Sequence, residues 1–184
     1  MTTSLRSRVR AGDPAAFGEL FDTAARRVYN HAYRLLGDWS AAEDAVSLTF
    51  LEAWRCRSRV RPDGDSLVPW LLGIATNVAR NTARARRRHA AALGRLPMPH
   101  DEPDFADDVA DRVDVLASAR SAQEALARLR RPEREVFALC VYASLDYAAA
   151  AEALGIPVGT VRSRLSRARA RLRDVTVPAE RVTR

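Results

Sequence analysis

Asp146-Tyr147-Ala-Ala-Ala-Ala-Glu152-Ala-Leu154-Gly155-Ile156-Pro157-Val158-Gly159-Thr160-Val161-Arg162-Ser163-Arg164-Leu165-Ser166-Arg167-Ala168-Arg169 reads as a short helix, a glycine turn and a second helix. Asp146 is the expected N-cap of the first helix, and Gly155 supplies the left-handed conformation that ends it. Pro157 then starts the second. On that second helix Val158, Val161, Leu165, Ala168 and Leu172 recur at spacings of three and four, which makes one buried stripe. Arg162, Ser163, Ser166, Arg167 and Arg169 are left facing outward. Such a helix pair is built to enter the major groove of duplex DNA. Arginine there can donate two hydrogen bonds to a guanine edge, and serine can reach bases or phosphates. Thr160, Arg164, Arg169, Arg171 and Arg173 suit the phosphate backbone and set register. An arginine-rich face also suits a solvated helix in a bundle. The glycine turn, proline start and unbroken stripe favour the DNA reading.

Working outward, the 184 residues have room for one medium or two small domains. Ala, Leu and Arg dominate and period-2 apolar runs are missing, so the chain is read as all-α. The net charge of +7 is unevenly spread. Residues 1–97 carry 16 Arg against 9 acids, residues 98–127 carry 2 against 8, and residues 128–184 carry 12 against 6. Two basic modules thus flank an acidic segment, a pattern suited to a polyanionic partner. Pro97, Pro99 and Pro103 among acids mark a solvated linker that keeps the modules apart. The expected division is 1–95 for an N-terminal helical bundle, 96–112 for the acidic linker, 113–174 for a four-helix domain with the helix-turn-helix, and 175–184 for a frayed tail. Within the last module, helices are expected from Val109 to Leu129 and from Pro132-Glu133.

In the first module Asp13-Pro14 caps and starts a helix. It carries Phe17, Leu20, Phe21, Ala24, Val28, Ala32 and Leu35 at helical spacing, to Gly37. Ser40-Ala-Ala-Glu43 has the form of a capping box opening a second helix through Val46, Phe50, Ala53 and Trp54. Residues 57–65 read as a loop around Pro62-Asp63-Gly64. A third helix is expected from near Ser66 through Trp70, Leu71, Ile74 and Val78 to Arg88. Trp39, Trp54 and Trp70 are assigned to the core. Cys56 and Cys140 are far apart, and His31, His89 and His100 share no ligand or triad spacing. No phosphate loop is present, so neither a catalytic site, a metal nor a cofactor is expected. Without a signal-peptide pattern or a membrane-length apolar run, a reduced cytoplasmic protein with no membrane insertion is the expectation.

The segment from Tyr147 to Arg169 resembles the promoter −35 reading region of extracytoplasmic-function (ECF) RNA polymerase sigma factors. Three stretches of the first module resemble their core-binding and −10 region. These are Gly12-Asp13…Ala16-Phe17…Leu20-Phe21, then Ala42-Glu43-Asp44-Ala45-Val46…Thr49-Phe50…Trp54, then Trp70-Leu71…Ile74-Ala75…Asn77. The match spans nearly the whole chain, in order, and resembles a minimal member without a further C-terminal domain.

That resemblance implies a subunit that brings polymerase core to promoters. The β′ clamp helices would dock on the second helix, through Asp44, Ser47, Leu48 and Leu51, with Arg55 on the same face. The β flap is implied as a further contact. Asp44 suits an interface bordered by leucines, and equally a solvated first helical turn favoured by the dipole. The melted −10 strand would meet Arg57, Arg59 and Arg61 of the loop and Asn77, Arg80, Asn81 and Arg84 of the third helix, with phosphates held by Arg86, Arg87 and Arg88. Asn77 could bond neighbouring backbone instead. The −35 duplex would be read by Arg162, Ser163, Ser166 and Arg167. The linker would thread toward the active-site and RNA-exit channels, and an anti-sigma factor is an implied partner.

Two departures stand out. Ser47 and Leu48 occupy positions where the family has Gln and an acid, shifting the polymerase contact toward apolar packing. Ala149 and Ala150 replace a Glu and a branched aliphatic residue, which predicts a core thinner by about 1–3 kcal/mol. Two rivals remain open: a stand-alone helix-turn-helix regulator binding a palindrome as a dimer, and a helical adaptor that binds only proteins.

Overall fold

The structure is a computed structural model that describes residues 4–93 and 113–176. The described residues form eight α-helices and no strand, as the helical composition predicts. The expected linker over 96–112, the helix onset at Val109 and the tail beyond Thr176 lie outside the described residues.

The first module comprises α1 (Leu5–Ala11), α2 (Pro14–Leu36), α3 (Trp39–Cys56) and α4 (Val68–Leu93). Asp13 caps α2 as expected, its carboxylate accepting from Ala15 N at 2.9 Å. The capping box at Ser40 does not form. Helix α3 starts earlier, because Asp38 accepts from Ala41 N at 2.7 Å and takes the N-cap role itself. Asp38 is also paired with Arg86 at 2.7 Å. That backbone N–H, and then the guanidinium, hold its carboxyl below the usual carboxylate range. Residues 57–59 continue α3 as a 3-10 turn rather than beginning a loop, and Ser66 Oγ accepts from Val68 N at the start of α4.

The core of this module is laid down by Leu20, Ala24 and Val28 of α2, Ala53 of α3, and Leu71, Leu72 and Ala75 of α4. Trp54 and Trp70 are half-buried against it. Trp39 is not a core residue: it is 53% exposed. Its ring stacks on Tyr33, with centroids 4.3 Å apart, at the outer seam of α2 and α3. Starting α3 at Trp39 puts this residue on the first turn, outside the core face.

His31 is the one buried histidine among the described residues. It bonds Thr76 Oγ1 at 2.8 Å and so pins α2 to α4. The Thr76 hydroxyl donates to Leu72 O, so its oxygen must accept from His31. Nε2 therefore carries the hydrogen, and the partnerless Nδ1 is a bare lone pair.

The second module comprises α5 (Val113–Arg128), α6 (Arg131–Phe137), α7 (Tyr147–Leu154) and α8 (Val158–Thr176). Helix α6 runs on into a π-turn over residues 138–142. Leu126 and Leu129 pack on Ala168, with Phe137 and Leu172 alongside.

The modules are not held apart. Ala150 and Ala151 of α7 lie in the same core cluster as Leu71 and Ala75 of α4. A Cβ on Gly73 would stand 2.6 Å from Ala153 O, so α4 and α7 meet backbone to backbone. The small residues at 150, 151 and 153 therefore permit a closer approach; Ala150 is fully buried rather than lining a void.

Burial lowers the His31 imidazole from 6.5 to about 4, aided by the nearby Arg34 charge. Below the ordinary value the unfolded chain binds a proton that the folded chain refuses. Stability is thus fullest above pH 6.5 and falls as pH drops toward 4. Between pH 7 and 5 the loss from this one group should be about 2 kcal/mol. Urea midpoints at the two pH values should separate accordingly, and His31→Gln should remove that difference.

Candidate nucleic-acid interface

The helix-turn-helix forms as its residues predict. Asp146 accepts from Ala149 N at 2.7 Å. Gly155 adopts φ 63°, and its N–H closes the end of α7 on Ala151 O and Glu152 O. Val161, Leu165 and Ala168 are buried along α8 and Leu172 half-buried. Val158, expected in the stripe, is exposed because it stands on the first turn, ahead of the packed section.

Arg162, Ser163, Ser166, Arg167 and Arg169 form one exposed arc. Helix α8 carries six arginines and a single acid, Asp174. Parts of the arc are pre-arranged. Arg167 Nε donates to Ser163 O at 3.2 Å, and Ser163 Oγ donates to Thr160 O at 3.1 Å. Arg162 lies over the Tyr147 ring, 5.8 Å from its centroid. Thr160 and Arg164 are half-buried flanks. Arg171 faces inward, pairing with the buried Glu133 at 3.4 Å.

A second surface lies on the first module. A groove of about 580 Å³ runs between α3 and α4. Trp70 and Ile74 line it with apolar surface, Asn77 and Asn81 with amides, Arg55 and Arg59 with positive charge, and Glu52, paired with Arg55 at 3.8 Å, with negative charge. Leu48 and Leu51 of α3 line the same groove. Two of the four residues expected on the polymerase contact therefore border the space expected to take the strand. Asp44 and Ser47 are exposed on the same outer side of α3. Trp70 and Ile74 have the spacing of core residues, so their place in the groove is visible only once α3 is packed beside them.

Other expected strand contacts are dispersed. Arg57 donates to Trp54 O at 2.7 Å and stacks on that indole at 4.5 Å. Arg61 reaches across to Glu152 at 3.4 Å. Arg86 is committed to Asp38, while Arg84, Arg87 and Arg88 are exposed.

Arg80 does not stand with Asn81 in the groove. It turns to the second module and grips Glu135 with two bonds of 2.7 Å, sending its third arm to Asn77 at 3.0 Å. Glu135 is 3% exposed in its side chain. This bonding raises the Arg80 guanidinium above its ordinary range. Two further contacts cross the same seam. Gln123 Nε2 donates to Tyr33 O and Arg34 O at 3.3 Å, and Arg34 stacks on Tyr142 at 4.2 Å. Glu135, Gly73 and Gln123 escape a reading along the chain, because each acts on a residue of the other module.

Residues 20–89 match the family Sigma-70 region 2, and residues 119–172 match Sigma-70, region 4. The chain belongs to the sigma-70 family. It is an ECF sigma factor, a subunit that directs RNA polymerase to promoters. The ECF RNA polymerase sigma factor SigK of Mycobacterium sp. (strain KMS) is 29% identical over 161 residues, covering 88% of this chain and 83% of that protein. SigE of Mycolicibacterium smegmatis is 34% identical over 168 residues, covering 89% and 63%. Among solved structures, Bartonella quintana RpoE bound to the anti-sigma factor NepR superposes with a TM-score of 0.66. It is 25% identical, with 90% of this chain and 98% of that one covered. Among the described residues of this sigma factor, no helix is long and apolar enough to cross a membrane.

Replacing Arg80 by Ala leaves the buried Glu135 carboxylate without its two-bond partner, with Arg131 at 3.7 Å as its remaining ion pair. The expected cost is about 3 kcal/mol. Arg131→Ala, at a half-exposed side chain, should cost less than about 1 kcal/mol. Denaturant midpoints of the two variants test that order.

Proposed function

We propose that this sigma factor reads promoters at two points, with the division of labour implied by its sequence. Residues 1–95 bind core polymerase and capture the melted −10 strand; residues 113–174 read the −35 duplex. Asp44, Ser47, Leu48 and Leu51 contact the clamp helices of β′, with Arg55 at the edge, and the β flap meets the second module. Arg162, Ser163, Ser166 and Arg167 read base edges, and Thr160, Arg164 and Arg169 hold phosphates. Arg59, Asn77, Asn81 and Arg84 face the single strand, with Arg57, Arg61 and Arg80 joining once their internal partners are released. Arg86, Arg87 and Arg88 neutralise phosphates beyond it. The reaction itself belongs to the polymerase, so this chain acts in the cytoplasm as a specificity subunit and not as an enzyme. An anti-sigma protein is a fitting regulator, given that RpoE of B. quintana is held by one.

The observation that carries this reading is the α3–α4 groove. Apolar surface from Trp70 and Ile74 beside the amides of Asn77 and Asn81 and the Arg59 guanidinium suits unstacked bases, with the Glu52 carboxylate at the edge held by Arg55. A regulator that reads only duplex DNA through α8 has no use for it.

Both elements cannot be read from the compact arrangement. A globule of 184 residues has a radius of gyration of about 16 Å. Two promoter elements about 25 base pairs apart lie on the order of 85 Å along the duplex. In this reading the α4–α7 seam opens on polymerase, and Arg80 exchanges Glu135 for a phosphate.

Run-off transcription with core polymerase on a promoter library tests the assignment. The chain should give promoter-dependent initiation. Leu48→Asp with Leu51→Asp should abolish it while sparing duplex binding. Arg162→Ala should weaken use of −35-dependent promoters about tenfold. Palindrome binding without any initiation would favour the stand-alone regulator. Absence of salt-dependent DNA binding even with polymerase would favour the adaptor.

A further inference from the structure

The loop joining the 3-10 turn to α4 is spanned by a residue from the start of the chain. Val60 and Leu67 anchor its ends in the core, and residues 61–66 between them are all exposed. Arg6 of α1 donates one guanidinium arm to Arg61 O at 3.0 Å and the other to Ser66 O at 2.6 Å. These two carbonyls stand at opposite ends of the exposed stretch. Gly64 lies between them at φ 112°, where a Cβ would come within 3.1 Å of the same guanidinium. The loop is therefore folded down over Arg6. Arg6 Nε is buried without a partner, and both bonded arms end on backbone carbonyls.

We propose that Arg6 is a positioning residue for capture of the −10 strand, an inference that rests on the reading of this loop given above. A guanidinium is a rigid planar fork, so two bonds from one group fix the distance between the two ends of the loop. That span sets how Arg59 and Arg61, on either side of Val60, present to the strand. Without the fork, six exposed residues must be ordered anew at each binding event, which weakens binding and blurs base choice. Helix α1 precedes residues 20–89 that match region 2.

The test uses the full chain assembled with core polymerase. The probe is a fork-junction DNA with one randomised block in its upstream duplex and six randomised bases in its single strand. Wild type should enrich defined bases in both blocks. Arg6→Ala should keep the duplex enrichment and its thermal midpoint, lose the single-strand enrichment, and bind about tenfold more weakly. Arg6→Lys should not restore it, since an ammonium lacks the fork. Arg6→Gln, which can donate to one carbonyl but cannot span both, should reproduce the selective loss and serves if Arg6→Ala does not fold. Single-strand enrichment that survives Arg6→Ala overturns the proposal, as does loss of both enrichments alike in a variant that keeps its thermal midpoint. The paired variant Arg59→Ala with Arg61→Ala separates the layers. Enrichment lost there but kept in Arg6→Ala overturns the brace alone. Enrichment kept in both overturns the reading of the loop.

Discussion

Where α4 crosses α7, Gly73 leaves no side chain between its own backbone and the carbonyl of Ala153. Any other residue would push the helices apart, because a Cβ there meets a fixed backbone atom and not a flexible side chain. The close crossing lets Ala150 and Ala151 join the core that Leu71, Leu72 and Ala75 begin. The same crossing brings Arg80 onto Glu135. A buried carboxylate is tolerated only with a well-formed partner, and the two-bond grip supplies one. Small residues permit the contact and the ion pair gives it direction.

Arg80 lies on α4, yet its guanidinium is paired with Glu135 of the second module. Arg61 is turned toward Glu152 in the same way. The acids that face the seam thus pair with arginines of the first module. Arg162, Ser166 and Arg167 on α8 and the α3–α4 groove remain open on the outside. The compact chain thus keeps the α8 arc and the α3–α4 groove exposed while part of its arginine charge is paired within.

Much of the local structure was legible because it depends on neighbours in sequence. Asp13-Pro14, Asp146, Gly155 and the Val161–Leu165–Ala168 spacing each carry a mechanism that acts within one or two turns. Asp38 caps α3 in place of Ser40 through Ala41 N, three residues on, a contact as local as the others, with Arg86 from another helix beside it. Trp39 was put outside the core by the register that this cap imposes. Ala150 reads as lost packing along the chain because the residues it packs with, Leu71, Leu72 and Ala75, lie in the other module.

By itself the sequence determined an all-helical chain of two basic modules, the helix-turn-helix with its arginine and serine arc, and membership of the sigma-70 family. Periodicity, caps and motifs are local, and each is written in consecutive residues. Only the tertiary structure decided that the modules share a core, that Trp70 and Ile74 line a groove with Leu48 and Leu51, and that Arg80 answers to Glu135. It also decided that Arg6 bridges the loop at Arg61 and Ser66. These are meetings of residues far apart along the chain, and their outcome turns on shape and charge complementarity that no window of neighbouring residues contains.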